Sequence, residues 1–531
     1  MKINSSKLIQ VNNLSVSYYP NKDVILKYLN LDINKGEHLA IIGESGCGKS
    51  TFAKSIVQML PKSAICKGNV SINGQDPINM GLKDLKIFRR SVFGYIYQDS
   101  IKKLNPLMTV GEHLYELIKI HFKEKSHIQI NKLVKETFNK VGIENKRLNS
   151  YPHEFSGGMR QRVCIALAIV LNPPLIIAAE PTTSLDSYTS YEIMGHLLSL
   201  CETYQSTLIL ISHDIKLAAK WCKQIAIMHQ GRIVEKGLVA DVLNKPQSNI
   251  GKKLVKAISI SIKPYYSGLN EVVLEAINLR YWYKLNSSIL RPNWNKALNE
   301  VSFKLYRDET LGIVGISGSG KSTLCRVLIG LIKERGGQIN IYNKDAFRTR
   351  KNKNIYKAKD IQMIFQDPFS SLNPKMKVRK TLEDVFLMHN KGSKNEMINE
   401  IYSVLNNLNL PIDENFLNSY PNQLSGGQLQ RISIARAILI KPRILICDES
   451  VNMLDASVKI EILLMIRKIQ EEMSLSIIFI THDLGLAKRF CNRLIVMHDG
   501  MIVEQGEALS MIKNPKHLIT RKLLNSSLDI N

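Results

Sequence analysis

Two stretches of this sequence have the residue types and spacing to hold phosphate: Gly43, Glu44, Ser45, Gly46, Cys47, Gly48, Lys49, Ser50 and Thr51, and again Gly315, Ile316, Ser317, Gly318, Ser319, Gly320, Lys321, Ser322 and Thr323. In a GxxxxGK[ST] spacing the glycines let consecutive backbone N–H groups turn inward, and the helix that follows presents its positive N-terminal end to an anion. Lys49 and Lys321 add a point charge, while the Ser50 and Ser322 hydroxyls suit a Mg²⁺ ion bridging the outer phosphates. The chemistry indicated is nucleotide binding with Mg²⁺. Such a loop alone fits a kinase or a GTPase equally well.

A second pair of motifs narrows this. Ser156, Gly157 and Gly158 in FSGGMRQR, and Ser425, Gly426, Gly427 and Gln428 in LSGGQLQR, each precede an apolar helix, so a Ser-Gly-Gly turn at a helix N-terminus offers another anion site. Near the ends of apolar runs stand Gln98 and Gln366, Glu180, Asp448 and Glu449, and His213 and His482. A strand-end carboxylate can be a mere surface charge, and a single histidine after a strand is more often structural. Their recurrence in one order is what gives them weight. Lys321 lies 272 residues beyond Lys49, Gln366 lies 268 beyond Gln98, and Ser425 and His482 each lie 269 beyond Ser156 and His213. Near-constant offsets mean two near-equal domains.

The elements that must position these residues follow an α/β alternation. HLAIIGESGCGKSTFAKSIVQML reads as a buried strand of about five residues, a glycine turn and an amphipathic helix, and TLGIVGISGSGKSTLCRVLIGL repeats it. LIIAAE, LILISH, ILICDE and SIIFITH read as central parallel strands whose carboxyl ends open onto a site. The expected organisation is a first domain over 1–260, a linker over 261–270 broken by Pro264 and Gly268, and a second domain over 271–531. The chain has 531 residues with 44% hydrophobic and 22% charged, which supplies cores and excludes global disorder. No apolar run reaches the roughly 18 residues of a membrane span. The N-terminus MKINSSKLIQ lacks the apolar core of a secretory signal, so the cytoplasm is expected. Eight scattered cysteines never reach CxxC spacing, which argues against a zinc or iron–sulfur module and for reduced, mostly buried thiols. The net charge of +26 admits a polyanion as partner, although lysines spread along the chain suit a solvated surface.

With the phosphate loops, the Ser-Gly-Gly motifs, the glutamines and the strand-end histidines in this order, the chain resembles an ABC-type ATPase over nearly its whole length. The resemblance implies two P-loop NTPase ABC domains in tandem, each with a RecA-like core and a helical subdomain, at about 99–155 in the first half and 367–424 in the second. It implies ATP and Mg²⁺ as cofactors, and head-to-tail pairing in which each ATP lies between the phosphate loop of one domain and the Ser-Gly-Gly motif of the other. By the same resemblance Glu180 and Glu449 match the general base for the attacking water, and His213 and His482 match the switch histidine at the γ-phosphate. Gln98 and Gln366 match residues that touch Mg²⁺ and water, and Tyr18 and Tyr283 match the aromatic that stacks on adenine.

One departure stands out. LIIAAEPTTSLD has Ala179 where ILICDESVNMLD has Asp448, so a carboxylate that supports the Mg²⁺ shell is missing from the first half. An unequal pair of sites is expected. The competent one combines Lys321, Ser322, Gln366, Asp448, Glu449 and His482 with Ser156, Gly157 and Gly158. The weaker one combines Lys49, Ser50, Gln98, Glu180 and His213 with Ser425, Gly426 and Gly427.

QDPFSSLNPKM at 366–376 and its fainter copy QDSIKKLNPLM at 98–108 are similar to the peptide-importer branch of the family, as is the pairing of SGGM with SGGQ. That branch implies dipeptides, oligopeptides, glutathione, nickel chelates or peptide antibiotics as cargo, two membrane permeases and an extracytoplasmic binding protein as partners, and a peripheral place at the cytoplasmic face of the inner membrane. The contrasting reading is a soluble twin ABC ATPase acting on ribosomes or nucleic acid. A short, Pro- and Gly-broken connection and the absence of a zinc insertion weigh against it, so no nucleic acid is expected.

Overall fold

The computed structural model describes the chain except residues 1–6, 20–22, 99–102, 184, 261, 263, 266–270, 286–292, 343, 346–359, 390–391, 452–453 and 528–531. Most of the expected linker, part of the QDSIKKLNPLM segment, and Asn452 and Met453 therefore lie outside the described residues. The chain divides into two compact units that meet in sequence at Ser259 and Ile260.

In the first unit, continuous apolar runs that cannot alternate with polar residues must be buried on both faces, which is the situation of a central parallel strand. Five of them build one sheet in the order Phe93–Ile96, Leu175–Ala179, Thr207–Ser212, His38–Ile42 and Gln224–His229, all parallel, with Arg232–Leu238 added antiparallel at the edge. Successive side chains leave opposite faces. Leu39, Ile41, Ile177, Ile209 and Ile211 accordingly enter one core with the antiparallel strands Lys7–Tyr18, Asp23–Asn34 and Ala64–Ile72. Ala40, Ile42, Ile176, Ala178, Leu208 and Leu210 enter another beneath the helices Val110–His121, His127–Lys140, Gly157–Ile169 and Ser187–Thr203. This single sheet joins the antiparallel layer to the helical layer, and its strand ends carry the chemistry.

The second unit repeats the plan. Its sheet runs Ile361–Ile364, Ile444–Asp448, Ser476–Thr481, Thr310–Val314, Arg493–His498 and Met501–Glu507, with the last strand antiparallel. An antiparallel sheet of Asn293–Tyr306, Val272–Leu285, Gly336–Ile341 and Lys344–Asp345 covers one face. Helices Val378–His389, Lys394–Asn407 and Gly426–Ile438 recur in the positions of their first-unit counterparts. The eight cysteines are free thiols, seven of them buried. Among the described residues, no helix is long and apolar enough to cross a membrane.

Candidate functional site

Each phosphate loop hangs between the first parallel strand and a short helix, Lys49–Ile56 or Lys321–Leu328. The glycine spacing is enforced by contact. A Cβ on Gly43 would lie 2.2 Å from the Met228 carbonyl oxygen, and one on Gly315 would lie 2.4 Å from that of Met497, so only glycine fits beneath the neighbouring strand. Gly48 and Gly320 enter their helices at φ 108° and 102°, the left-handed region that glycine reaches without a Cβ penalty. Lys49 and Lys321 are buried. Their Nζ groups fold back on the loop, donating to the Gly43 and Glu44 carbonyls at 2.7 and 2.8 Å and to those of Gly315 and Ile316 at 2.8 and 2.9 Å. Ser50 and Ser322, the residues that follow, are exposed.

At the ends of the adjacent strands the two units converge on one geometry. Glu180 and Glu449 both take left-handed torsions, φ 48° and 46°, while their N–H groups still donate to the next strand at Ile211 and Ile480, 2.9 and 3.0 Å away. A left-handed, non-glycine residue costs on the order of 1–3 kcal/mol and concentrates at functional sites. Gln98 Nε2 donates to Glu180 at 2.8 Å, as does Gln366 Nε2 to Glu449 at 2.8 Å. His213 Nδ1 stands 3.5 Å from Glu180, and His482 Nδ1 stands 3.4 Å from Glu449. Three residues drawn from three separate strand ends thus meet around one carboxylate in each unit. Burial disfavours the charge of Glu180, but His213, Thr183 and Lys49 outweigh it and hold the carboxyl below its usual range.

The sites part company one residue earlier. Asp448 ends its strand almost fully buried and its Oδ1 has no hydrogen-bond partner. Burial pushes its pKa up to about 6, with the neighbouring Glu449 adding to the rise, while Lys321, the Ser322 hydroxyl and Arg326 pull it down. A buried, unpartnered carboxylate oxygen beside the Ser322 hydroxyl fits a cation with oxygen ligands. A single carboxylate suits Mg²⁺, an ion held by one or two carboxylates together with phosphate oxygens. Ala179, the first unit's counterpart, is buried and supplies no oxygen from its side chain.

The Ser-Gly-Gly motifs differ from the expected turn before a helix: Ser156 and Ser425 are the N-caps, and the glycines form the first helical turn. Ser156 Oγ accepts from the Met159 N–H, and Ser425 Oγ from the Gln428 N–H, each at 3.3 Å. Gln428 returns the contact, its Oε1 accepting from the Ser425 N–H at 3.0 Å to close a capping box. Met159 cannot do so. Gly158 packs tightly, since a Cβ there would lie 2.5 Å from Thr189 Cγ2, and one on its counterpart Gly427 would lie 3.2 Å from Val458 Cγ1.

Tyr283 lies 3.5 Å from the Thr323 hydroxyl and edge-on to Tyr281, so it borders the second phosphate loop. Tyr18 is half-buried against the core between the two sheets of the first unit. Three contacts escaped the sequence reading: Thr183 Oγ1 donating to Glu180 at 3.0 Å, and Lys253 Nζ and His229 Nδ1 at 3.2 and 4.0 Å from Glu44. The place of Thr183, three residues after the glutamate, is a signal that could have found it, but Lys253 lies 209 residues from its partner and has none.

The ABC transporter family matches residues 26–183 and 298–452. The peptidoglycan transport ATP-binding protein YejF of Agrobacterium fabrum is 33% identical over 99% of this chain and 97% of its own length. The glutathione import ATP-binding protein GsiA of Escherichia coli O157:H7 is 31% identical over 98% of this chain and 90% of its own. The dimeric bacterial ABC transporter cassette MJ0796 is 30% identical over 44% of this chain and 98% of its own, with a TM-score of 0.40. Matched twice along its length by the family and related over nearly all of it to YejF and GsiA, the chain belongs to the ABC transporter family as a transport-coupled ATPase with two nucleotide-binding domains in tandem.

Proposed function

We propose that this chain energises an importer of small peptides of the dipeptide, oligopeptide or glutathione class, and that its second nucleotide site does most of the hydrolysis. The observation that carries the asymmetry is the Asp448 to Ala179 exchange set within two otherwise matching Glu, Gln and His constellations. The cargo class is supported by relatives named for peptidoglycan transport and glutathione import that match nearly the whole chain.

In this reading the two domains pair head to tail, Lys321 and the loop N–H groups bind the β- and γ-phosphates, and Ser156, Gly157 and Gly158 of the other domain close on the same nucleotide. Glu449 accepts the proton of the attacking water, which Gln366 and the glutamate itself orient, while His482 contacts the γ-phosphate. Mg²⁺, held by Ser322 and supported through its shell by Asp448 and Gln366, would neutralise charge on the outer phosphates. Lys49, Ser50, Gln98, Glu180 and His213 with Ser425, Gly426, Gly427 and Gln428 form the first site, whose Mg²⁺ support is weaker. Tyr18 and Tyr283 stack on the two adenines.

Closure must reach a membrane partner. A groove of about 570 Å³ in the first unit lies between the edge strand that leads to Gln98 and the helix Val110–His121, with Arg89, Arg90, Lys103 and His121 around apolar Leu117 and Ile120. It supports a permease contact that feels any movement of the glutamine. The partners proposed are two permeases and an extracytoplasmic binding protein, with this chain peripheral at the cytoplasmic face of the inner membrane.

The test is ATP turnover of the chain co-purified with its permeases, titrated with candidate peptides and their binding protein. Peptide-stimulated turnover that Glu449→Gln abolishes supports the proposal. Turnover indifferent to permease and peptide overturns the importer, and turnover that survives Glu449→Gln overturns the asymmetry.

A further inference from the structure

A second groove in the first unit is lined by none of the nucleotide-site residues. It encloses about 700 Å³ between the helix Ile215–Trp221 and the helix Val239–Asn244. That volume falls within the roughly 300–1,000 Å³ of small-molecule sites, which are typically apolar with a few placed polar groups. Lys216 and Lys220 line it from one helix at i, i+4 spacing, which puts them on one side, and Lys223 joins them just past the helix end. Ala219, Leu238 and Leu243 supply apolar surface. Among the described residues no acidic side chain lines it. Lys220 is placed by the Tyr191 ring, 4.3 Å from its Nζ, and burial lowers its pKa. Leu238 is 51% exposed, an apolar side chain held open at the rim.

The second unit is an internal control, because the same helices recur there as Leu484–Phe490 and Ala508–Lys513. At the 269-residue offset, Ala219 becomes Lys488, Leu238 becomes Glu507 and Lys216 becomes Gly485. At the same offset Lys223 becomes Asn492, while Lys220 becomes Arg489 and keeps its charge. Both copies sustain the fold, so the apolar residues Ala219 and Leu238 and the lysines Lys216 and Lys223 are not a requirement of folding.

We propose that this groove binds a single-chain anionic amphiphile, an acyl chain with a carboxylate or phosphate head, its chain on Ala219, Leu238 and Leu243 and its head among Lys216, Lys220 and Lys223. A long lysine stem covers apolar surface while its ammonium meets an anion, so one side chain serves both ends of such a ligand. The occupant is a small molecule rather than a protein helix because the groove is short, bounded by helices of seven and six residues.

The experiment is saturation binding of oleate to the full chain, with oleyl alcohol as the uncharged control. Two variants accompany the wild type: Ala219→Lys with Leu238→Glu, which installs the residues the second copy tolerates, and Lys216→Gln with Lys223→Gln. Thermal unfolding of each variant checks its fold, and none of the substituted positions belongs to the nucleotide site. The expected result is saturable binding near one oleate per chain, weakened at least tenfold in both variants and for the alcohol, with basal ATP turnover unchanged. Absence of saturable binding, equal affinity for the alcohol, or equal affinity in the folded Ala219→Lys, Leu238→Glu variant would overturn the proposal.

Discussion

His482 Nδ1 stands 3.4 Å from the Glu449 carboxylate, and His213 repeats the contact with Glu180 at 3.5 Å. The reacting geometry is therefore matched in the two halves, and any difference in turnover must come from what surrounds it. General-base catalysis contributes typically about 10²–10⁴-fold. Glu449→Gln is expected to lower phosphate release by at least a hundredfold, and Glu180→Gln by less than about fivefold, in a steady-state phosphate assay. Equal losses in both variants would show that both sites turn over.

Ala179→Asp places a carboxylate in a buried position one residue before Glu180. Without Mg²⁺ and nucleotide the new group is desolvated, and a loss of about 1–3 kcal/mol in stability is expected by calorimetry. With Mg²⁺ and ATP the loss should reverse. In an Asp448→Asn background, adding Ala179→Asp should lower the half-saturating Mg²⁺ for ATP binding about tenfold, the scale of one charge-assisted contact. No change would exclude a metal-supporting role for the position.

The raised pKa of Asp448 sets a pH window. Its value in the fold, about 6, exceeds an unfolded value near 3.8, so the group's contribution to stability is fully present below the unfolded value and is lost as pH rises through about 6. Mg²⁺ binding needs the ionised form, so it runs the other way. Mg²⁺-dependent ATP affinity is expected to weaken as the solution is acidified through that range, and Asp448→Asn should flatten the acid limb in a titration at fixed ionic strength.

Gln428 closes a cap that Met159 leaves open. Gln428→Met, the residue of the first copy, is expected to cost about 0.5–1 kcal/mol of stability, and Met159→Gln to gain a few tenths, both read as shifts in unfolding midpoint. If Gln428 acts only through Ser425, the Gln428→Met protein should bind ATP more weakly while its turnover at saturating ATP is retained.

Much of this protein is decided locally and is legible in the residues alone. GxxxxGK[ST] determines a loop and a helix because glycine torsions and the lysine position are properties of a few consecutive residues. The five-residue run LIIAA determines a doubly buried strand because nothing polar interrupts it. The duplication and the exchange of Asp448 for Ala179 are likewise matters of offset and identity. What tertiary structure decided is convergence. That Gln366 would donate to Glu449 across 83 residues, with His482 on the other side, depends on strands Ile361–Ile364, Ile444–Asp448 and Ser476–Thr481 lying adjacent and in parallel register. The left-handed torsion at Glu180 and Glu449 has no sequence mark, since it is imposed by the N–H bond to the next strand. The unpartnered oxygen of Asp448 is likewise a property of its surroundings, because burial is a sum over neighbours from several elements. So is the lysine-lined groove, whose two walls are contributed by separate helices.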